Sequence, residues 1–592
     1  MTTQEELQRR IRELEKEVAH LHSQIKHQQY GLVWLDVPEA FDKESENKIP
    51  ILEEVPEMAI HHDDGKPTHI LIEGDNYHAL TCLNYTHKGK VDVIYIDPPY
   101  NTGNDGFVYK DKRLTDRYPD GTNVPTNSPQ RHSYWLSFMH RRIELAHNLL
   151  SDRGIIVISI DSNEQANLKL LCDSIFGEEN FISCLPRITK SSGKTTDKIA
   201  LNNDYLLLYS RRKENAVIVG LPHDDEGFRY EDEYVRERGR YKLNQTLDYD
   251  SLQYSDSLDY PITYGEYTLY PGSSEFDYLQ RKKGNHRRAD WEWRWSEKKY
   301  QFGLDNGFIV LKKSKGGVRL YTKTYQYATI EKIGEDYQLI YKDRTKPITS
   351  LDFTQSDFSN DVAKKELGKL FGKNIPFDYP KPTSILSHLM KTIPDVAVVL
   401  DFFAGSGTTL HATMNLNTED GGHRQCILCQ INEANICTDV TYERNKRVMN
   451  GYTDSKSNHV EGLGNSLKYY RTAFVGKNKP KDATDEDKVT LSKKAGCLLA
   501  LAENTLYEQK STDFYQIYSD EQGHTTAIYF QEDGEEYGNF LKEVEGIKGK
   551  RTVYVFSWGT GEEFRSDFET MKDVMVKSIP QPILDIYKSL NQ

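Results

Sequence analysis

The sequence predicts an α/β fold built on a parallel β-sheet with helices on both of its faces. Two segments, 68–183 and 377–479, alternate apolar, strand-like runs with stretches of helical periodicity, which is the pattern of such a sheet. The run IIVISID at 155–161 is apolar almost throughout, as in a parallel strand buried on both faces. This pattern stops near residue 184 and resumes near residue 377, which predicts an insertion into the sheet domain.

The composition limits the class of protein. The chain has 592 residues, enough for several domains of about 150 residues each. Its formal net charge is -14, so any interaction with nucleic acid must rest on a local basic surface. We find no apolar run near the roughly 18 residues of a membrane span and only seven cysteines, which predicts a soluble, cytoplasmic protein without a disulfide framework. The lone CxxC of Cys426 and Cys429 has no second pair, and we predict no metal site.

The first thirty residues predict a helix with a heptad repeat. Its apolar positions alternate spacings of four and three residues, at Leu7, Ile11, Leu14, Val18, Leu21 and Ile25. Leu at the d positions and β-branched residues at the a positions favour a parallel two-stranded coiled coil, and hence a homodimer. Three heptads are near the minimum for such a pairing, so the alternative is an amphipathic helix packed on its own domain.

The elements of the sheet domain follow in order along the chain. THILIEGDNYHALTCL predicts a strand, a Gly-Asp turn and a helix, KVDVIYIDPPY ends at a second turn, and SYWLSFMHRRIELAHNLLSDRG is helical up to Gly154. After the insertion, DVAVVLDFFAGSGTTLHATMNLN predicts a strand, a glycine turn and a helix, and HRQCILCQINE predicts another strand. Residues 480–592 mix helical and strand-like pieces, which predicts a C-terminal α+β domain.

Two of these strand ends carry chemically informative residues. The strand that ends in DPPY at 97–100 cannot extend its ladder, because neither proline has an N–H, so the turn presents a carboxylate, carbonyls and an aromatic face. FFAGSGTT at 402–409 ends another strand and opens a helix, where glycines let a ligand approach the backbone. Position 410 is Leu, so the dinucleotide pattern GxGxxG is absent and NAD is disfavoured. If the two strands are neighbours, both turns face one crevice.

These motifs resemble the S-adenosylmethionine-dependent amino-methyltransferases that act on DNA. DPPY matches their catalytic motif and FAGSG at 403–407 their cofactor motif, and the order, catalytic motif first, is similar to that of the circularly permuted β group. Within that group DPPYNTG, FGEENFI, NDYLLLYS, FDYPKP and DFFAGSGTTLHA resemble the modification (Mod) subunit of type III restriction-modification systems. The resemblance implies a Rossmann-like, doubly wound methyltransferase sheet, with halves at 31–183 and 377–479 and an inserted target-recognition domain at 184–376.

The resemblance also implies a function. It is the transfer of a methyl group from S-adenosylmethionine to the N6 amino group of adenine, within a short recognition sequence of double-stranded DNA. Two alternatives stay open: N4 methylation of cytosine by the same fold, which more often has Ser in the place of Asp97, and a binding-only specificity subunit. We find no complete helicase or nuclease motif, so any restriction activity would come from a partner chain, a restriction (Res) translocase and nuclease subunit.

The implied catalytic residues are those of the DPPY motif. Asp97 and the Pro98 carbonyl, followed by Pro99, would accept hydrogen bonds from the amino group of the target base, and Tyr100 would stack on that base. The amino group cannot be reached inside a duplex, so the base must be flipped out. No metal is required for this chemistry.

The implied cofactor-binding residues come from both halves of the sheet domain. Phe403, Gly405 and Gly407 would form the floor under the cofactor, and the full set is Asp75, Lys381, Asp401, Phe403, Gly405, Gly407, Thr408, Gln430 and Glu433. Asp75 would lie near the adenine and Lys381 near the methionine end. The alternatives are that Asp75 serves solely as a helix cap and that Lys381 is a surface lysine. The family's ribose-binding acid is replaced by Gln430, with Glu433 three residues later, and both remain candidates.

The insertion carries a local excess of positive charge. Residues 281–350 hold 17 Lys and Arg against 8 Asp and Glu, in a chain of net charge -14. The predicted phosphate contacts are Arg281, Lys282, Lys283, Arg287, Arg288, Arg294, Lys312 and Lys313. Trp291, Trp293 and Trp295 follow strand periodicity and share one face, opposite Glu292 and Arg294. That face could contact bases, or it could be the core of a small sheet.

Overall fold

The computed structural model describes residues 32–37, 39, 48–103, 111–118, 121–190, 198–222, 227–314, 317–372, 375–531, 534–559 and 561–590. The chain divides into two compact units, of which the smaller is Val219–Ile348 and the larger comprises the chain on either side of it. The predicted coiled-coil segment, 1–30, lies outside the described residues. No helix within these ranges is both long and apolar enough to cross a membrane.

The first part of the larger unit supplies six strands and three helices. In chain order they are β1 (Ile49–Glu54), β2 (Thr68–Glu73), α1 (Asn76–Thr86), β3 (Val91–Ile96), α2 (Ser133–Leu149), β4 (Leu150–Ile160), α3 (Gln165–Phe176), β5 (Phe181–Ile188) and β6 (Asn203–Ser210). Strand β4 contains the predicted apolar run, and its residues from Gly154 to Ile160 are buried. Such burial on both faces is typical of an interior strand of a parallel sheet.

The smaller unit is built mainly of short antiparallel strands. Its elements are β7 (Leu221–Pro222), α4 (Val235–Arg238), β8 (Tyr241–Thr246), β9 (Asp248–Ser251), β10 (Ile262–Tyr264), β11 (Tyr267–Leu269), α5 (Glu275–Lys282), β12 (Asp290–Trp293), α6 (Glu297–Asp305), β13 (Ile309–Ser314), β14 (Gly317–Tyr325), β15 (Ala328–Ile333), β16 (Asp336–Tyr341) and β17 (Thr345–Lys346). Strands β13, β14 and β8 form a three-stranded sheet, and the other strands pair two by two.

The tryptophans of the smaller unit belong largely to its core. Trp293 is buried in a cluster of apolar side chains, and Trp295 packs against the same cluster. The indole N–H of Trp293 donates to the Tyr260 carbonyl at 2.6 Å. On the opposite face Glu292 is buried and accepts from the Tyr249 hydroxyl at 2.6 Å. Of the two alternatives left open for the tryptophan face, the core of a small sheet holds for Trp293.

The chain then returns to the larger unit. The elements are α7 (Asn360–Phe371), α8 (Thr383–Met390), β18 (Val398–Asp401), α9 (Thr408–Asp420), β19 (Gln425–Gln430), a π-helix (Ile436–Tyr442) leading into α10 (Glu443–Asn450), β20 (Tyr452–Thr453), β21 (His459–Val460) and β22 (Ser466–Val475). Helix α9 starts directly after the predicted glycine turn.

The main sheet has nine strands in the order β1-β22-β2-β19-β18-β3-β4-β6-β5. The six strands from β22 to β4 in that order run parallel, while β1, β6 and their neighbours pair antiparallel. Across the sheet, the chain passes from β18 to its neighbour β19 on one side, and from β3 to its neighbour β4 on the other side. Right-handed crossovers then place α9 and α2 on opposite faces of the sheet. The predicted α/β fold is confirmed, and the direction reverses between β18 and β3.

The insertion is narrower than the predicted 184–376. Cys184 lies within β5, and β6, the segment NDYLLLYS, inserts between β4 and β5 as a fully paired strand of the main sheet. Helix α7 also belongs to the larger unit, because that unit resumes at Thr349. The boundary expected from composition is therefore too wide on both sides, since antiparallel strands at a sheet edge lack the alternation with helices.

The C-terminal region forms a second sheet within the larger unit. Its elements are α11 (Asp485–Lys494), α12 (Gly496–Glu503), β23 (Tyr507–Ser511), β24 (Tyr515–Ser519), β25 (His524–Tyr529), α13 (Tyr537–Gly546), β26 (Lys550–Phe556), β27 (Val574–Ile579) and α14 (Gln581–Ser589). The five strands follow one another in order. Helices α12 and α14 pack on α1 and share its apolar core, so the predicted domain 480–592 is not a separate compact unit.

Candidate active site

A cleft opens at the carboxyl edge of the main sheet, where β2, β19, β18 and β3 end. It encloses about 980 Å³ of empty space, including part of its open mouth. Strands β18 and β3 are parallel neighbours, with Val399 opposite Val93 and Leu400 opposite Ile94. The cleft is lined by ten of the predicted site residues, namely Asp75, Asp97, Pro99, Lys381, Asp401, Phe403, Gly405, Thr408, Gln430 and Glu433. The expectation that both turns face one crevice is thus confirmed.

Asp97 is bound by a lysine and by a tyrosine. The Tyr100 hydroxyl donates to Asp97 Oδ1 at 2.8 Å, and Lys381 Nζ donates to Asp97 Oδ2 at 2.6 Å. Lys381 Nζ also lies 3.0 Å from the Tyr100 hydroxyl, which closes a triangle of three polar groups. Burial and the nearby Asp97 carboxylate raise the pKa of Tyr100 well above its usual range, so the phenol stays a proton donor. Lys381 thereby lies at the DPPY loop and is buried, which rules out the surface alternative.

The backbone of the DPPY loop is held by buried groups on both sides. The indole N–H of Trp135 donates to the Pro99 carbonyl at 2.8 Å, so this carbonyl is already occupied. The backbone N–H groups of Tyr100 and Thr102 donate to the buried Asp111 carboxylate at 3.0 and 2.8 Å. Asp204, which lies 3.4 Å from the Tyr100 hydroxyl, is itself paired with the buried Arg187. The loop is therefore anchored along its length.

Asn101 takes a left-handed conformation, with a φ of 58°, just after the motif. Its side-chain amide donates to the buried Glu164 at 2.6 Å, and its oxygen accepts from the backbone N–H of Arg113 at 2.9 Å. His132 Nδ1 lies 2.6 Å from the same Glu164 oxygen, and this hydrogen bond raises the pKa of His132. These bonds stabilise a backbone conformation that asparagine tolerates better than most residues.

The second turn begins at a buried carboxylate. Asp401 accepts from the backbone N–H of Phe403 at 3.0 Å and from the Thr409 hydroxyl at 2.5 Å. Burial raises the pKa of Asp401 to about 7. Gly405 and Gly407 both have positive φ, and a Cβ on Gly407 would lie 2.4 Å from Asn445 Nδ2. Asp401 thus fixes the start of the turn, and glycine is required at its end.

Arg444 lies buried beneath this turn. It donates to the Ser406 hydroxyl at 3.0 Å and to the Thr408 hydroxyl at 2.8 Å, while the Glu366 carboxylate is 3.9 Å away. Burial lowers the pKa of Arg444 to about 10, so it remains a cation at neutral pH. The Thr408 hydroxyl also donates to the Lys381 carbonyl at 3.1 Å, which joins the glycine turn to the PKP segment.

The remaining predicted cofactor residues also line the cleft. Asp75 accepts from the Tyr77 backbone N–H at 2.8 Å and from Arg142 at 3.2 Å, so it caps α1 as well as lining the cleft. Gln430 Oε1 accepts from the backbone N–H of Gly405 at 2.7 Å and thus supports the turn. Glu433 lines the cleft after β19.

Several residues of the site were not predicted. Arg142 is buried behind Asp75, Trp135 contacts Pro99, and both Arg113 and Phe138 line the cleft. Arg142 lies on the apolar, buried face of α2. A charged residue at such a position is a sequence signal for a buried ion pair. Arg113 lies in a loop, where no periodicity marks it.

The predicted phosphate contacts in the smaller unit fall into two groups. Arg281 is buried and donates to Asp259 at 2.9 and 3.0 Å, so its prediction as a phosphate contact is wrong: the guanidinium is committed to a core ion pair. The other seven are outside the core. Lys312 is half-buried, and the exposed ones are Lys282, Lys283, Arg287, Arg288, Arg294 and Lys313. Lys282 pairs with Asp256 at 2.6 Å, and Arg287 pairs with Asp277 at 2.9 Å.

Comparison with known proteins identifies the family. The sequence matches the DNA methylase family over residues 91–441. It is 34% identical over 388 residues to the type III restriction-modification enzyme StyLTI Mod subunit of Salmonella typhimurium, covering 63% of this chain and 54% of that protein. It is 31% identical over 420 residues to the type II methyltransferase M.KpnI of Klebsiella pneumoniae, covering 68% of this chain and 90% of that one. Thus the chain spans about half of the Mod subunit and most of M.KpnI.

The structure also aligns with the solved M1.HpyAVI–SAM complex, at 10% identity over 64% of this chain and 98% of that chain. The TM-score of this alignment is 0.28. The family match covers more than half of the sequence and includes both the DPPY loop and the glycine turn. The chain belongs to the DNA methylase family.

Proposed function

We propose that this chain is a site-specific DNA methyltransferase that transfers a methyl group from S-adenosylmethionine to the N6 amino group of adenine. The observation that carries the proposal is that the DPPY loop and the glycine turn line one cleft, on neighbouring parallel strands. One presents a carboxylate that can accept from an amino group, and the other presents the start of a helix. Transfer between two bound molecules needs both to be held within one such space.

Two features of the cleft fit S-adenosylmethionine. Asp75, Gln430 and Glu433 offer acceptors for amino and hydroxyl groups such as those of an adenosine. Arg113 Nε is buried without an acceptor among the described residues, and a bound ligand could satisfy it. When bound, this cofactor supplies a methyl group made electrophilic by a positively charged sulfur.

The residues of the DPPY loop would act on the base. The amino nitrogen of adenine is a poor nucleophile, because its lone pair is delocalised into the ring. Acceptors at Asp97 and at the Pro98 carbonyl would hold its two hydrogens and favour the tetrahedral nitrogen of the transition state. Tyr100 and Lys381 each use one Asp97 oxygen, and each oxygen keeps a further lone pair for an amino hydrogen. The two neighbours therefore orient the carboxylate without exhausting it.

The decisive experiment is product analysis with the purified chain. Incubation with tritiated cofactor and unmethylated DNA, followed by digestion to nucleosides, should give N6-methyladenine. Asp97→Ala should lower incorporation more than about 100-fold, because it removes an acceptor used in the transition state. Asp152→Ala, at an exposed aspartate of β4, is the matched control and should keep full activity. Unchanged incorporation by Asp97→Ala would refute the assignment.

The same experiment separates the two rival functions. N4-methylcytosine in the digest would identify the cytosine enzyme of the same fold. A chain that binds DNA and cofactor but incorporates no label would be a binding-only specificity subunit. The intact DPPY loop, with Asp97 held by two neighbours inside the cleft, favours an active enzyme over the second rival.

We further propose that the smaller unit recognises the DNA and that the chain is the modification subunit of a type III system. Its basic residues outside the core are candidates for phosphate contacts, and the Mod subunit of Salmonella typhimurium is a relative at 34% identity. A Res subunit would then be its partner, and a homodimer through the heptads of 1–30 would be its assembly. We expect it in the cytoplasm, where host DNA lies. Sedimentation of the 68.5 kDa chain would test the dimer, and a monomer at micromolar concentration would exclude it.

A further inference from the structure

Arg113 is a cation of the cleft with an unpaired donor among the described residues. It lines the cleft together with Asp75, Phe138 and Phe403. Its Nε atom is buried without a hydrogen-bond partner in the described part of the chain. Burial lowers the pKa of Arg113, which is the sign of a charge removed from water without full compensation. Because this donor lines a cleft, an acceptor on a bound ligand is one way to satisfy it.

The guanidinium is held in position by an aromatic ring. Arg113 Cζ lies 3.7 Å from the ring centroid of Phe138, and Arg142 Cζ lies 3.8 Å from the same centroid. The two arginines differ in their partners. Arg142 donates to Glu39 at 2.8 Å and to Asp75 at 3.2 Å, whereas the side-chain donors of Arg113 have no such partner among the described residues. Arg113 is thus prepositioned, and its Nε is left without an acceptor among the described residues.

The charges around Arg113 favour an uncharged ligand group. The cations Arg113 and Arg142 are balanced by the acids Glu39 and Asp75. Each of the other three acts electrostatically on Arg113. A ligand carboxylate here would meet Asp75 as a like charge. An adenine ring meets both side chains well, because it presents an amino donor beside ring-nitrogen acceptors. The rings of Phe138 and Phe403, with centroids 5.9 Å apart, add apolar surface for a flat heterocycle.

We propose that Arg113 is a further cofactor-binding residue, which donates to a ring nitrogen of the cofactor's adenine while Asp75 accepts from the amino group of that ring. This inference rests on the proposed function, because it takes S-adenosylmethionine as the ligand. A donor and an acceptor that line the same cleft would select adenine over hypoxanthine, whose six-position oxygen cannot donate to Asp75. Asp75 would therefore discriminate between the two bases, and Arg113 would add binding energy for the adenine ring of the cofactor.

Calorimetric titration of the full chain tests the proposal directly. The ligands are S-adenosylhomocysteine and 5′-methylthioadenosine, of which the second keeps the adenine but lacks the amino-acid end. Arg113→Met should weaken both by a similar factor, about 10- to 100-fold. Arg113→Lys should also weaken both, since a lysine lacks the fixed fork. Arg117→Met, at an exposed arginine of the same loop, is the matched control and should change neither affinity.

Deaza analogues of S-adenosylhomocysteine locate the hydrogen bond. Replacement of the accepting ring nitrogen by carbon should cost the wild type about tenfold in affinity and the Arg113→Met variant almost nothing. A loss confined to S-adenosylhomocysteine would move Arg113 to the amino-acid end and overturn the proposal, as would equal losses in both proteins for every analogue. Unchanged affinity in Arg113→Met would overturn it as well. If the wild type binds neither ligand, the proposed function itself fails, and thermal unfolding without ligand verifies that the variants fold.

Discussion

The Asp97 carboxylate is bound by two neighbours that differ in charge. Tyr100 contributes a neutral hydroxyl whose raised pKa keeps it protonated, and Lys381 contributes a cation at 2.6 Å. A carboxylate in this setting is oriented by the tyrosine and neutralised by the lysine, so an incoming amino group would meet an acceptor that is already fixed in direction. Lys381 should therefore matter more for the chemical step than for holding the cofactor.

Lys381→Gln tests this division of roles. We expect the rate of methyl transfer to fall about 10- to 100-fold, because Asp97 loses a charged hydrogen bond, while the affinity for S-adenosylhomocysteine changes less than about threefold. Lys391→Gln, at an exposed lysine paired with Glu419, is the control and should alter neither. A tenfold loss of affinity with an unchanged rate would instead place Lys381 at the cofactor.

Asp401 should make stability depend on pH. Burial raises the pKa of Asp401 to about 7 in the folded chain, against about 4 for an unfolded aspartate. Between these values the folded state binds the extra proton, so the stability contributed by this group is present at low pH and is lost as the pH rises. Asp401→Asn removes this pH dependence. The free energy of unfolding of the variant, measured with urea, should therefore rise relative to that of the wild type from about pH 5 to pH 8, by at most about 4 kcal/mol. Equal differences at both pH values would contradict this.

Among the elements, α9 depends on a glycine at each end. Gly407 precedes it with a φ of 74°, and Gly421 follows it with a φ of 72°. Only the first of these positions is enclosed. A Cβ on Gly407 would lie 2.4 Å from Asn445 Nδ2, while a Cβ on Gly421 would meet no atom within 4 Å. The two positions therefore separate the cost of backbone conformation from the cost of lost space.

Alanine at these two positions should have different effects. Gly421→Ala should cost about 1 kcal/mol through its positive φ and leave ligand affinity unchanged. Gly407→Ala should cost more, because Asn445 must also move, and it should weaken binding of S-adenosylhomocysteine about tenfold or more by distorting the turn. Chemical denaturation and calorimetry measure the two effects. Equal behaviour of the variants would show that the shape of the turn is not critical.

The elements that could be predicted are those whose information is local. Prolines end the strand before Asp97, glycines open α9, and the apolar run of β4 announces a buried strand, so both turns and the α/β class follow from short segments. Strand β6 was assigned to the insertion, because its partners β4 and β5 are set by antiparallel pairing that no local pattern specifies. The prediction for Arg281 was wrong and Arg113 was missed for the same reason, because the groups around each of them come from distant parts of the chain.

Over the whole molecule, positive charge is concentrated in one segment of a chain that is acidic overall. Residues 281–350 carry 17 Lys and Arg against 8 Asp and Glu, in a chain of net charge -14. The burial of Arg281 removes one of these cations from the surface, whereas Lys283 and Arg288 are exposed. If the smaller unit holds DNA through phosphate contacts, affinity and its salt dependence must reside in the exposed cations.

The double variant Lys283→Ala, Arg288→Ala tests that expectation. Each lost phosphate contact should reduce the slope of log affinity against log salt by about 0.9, so the pair should reduce it by about 1.8 for any DNA sequence. Lys542→Ala with Lys548→Ala, at exposed lysines of the larger unit, makes the same change in net charge and should leave the slope intact. Fluorescence anisotropy at several salt concentrations measures both. Equal slopes for the two double variants would mean that DNA responds to the overall charge of the chain, and the smaller unit would then lose its assigned role.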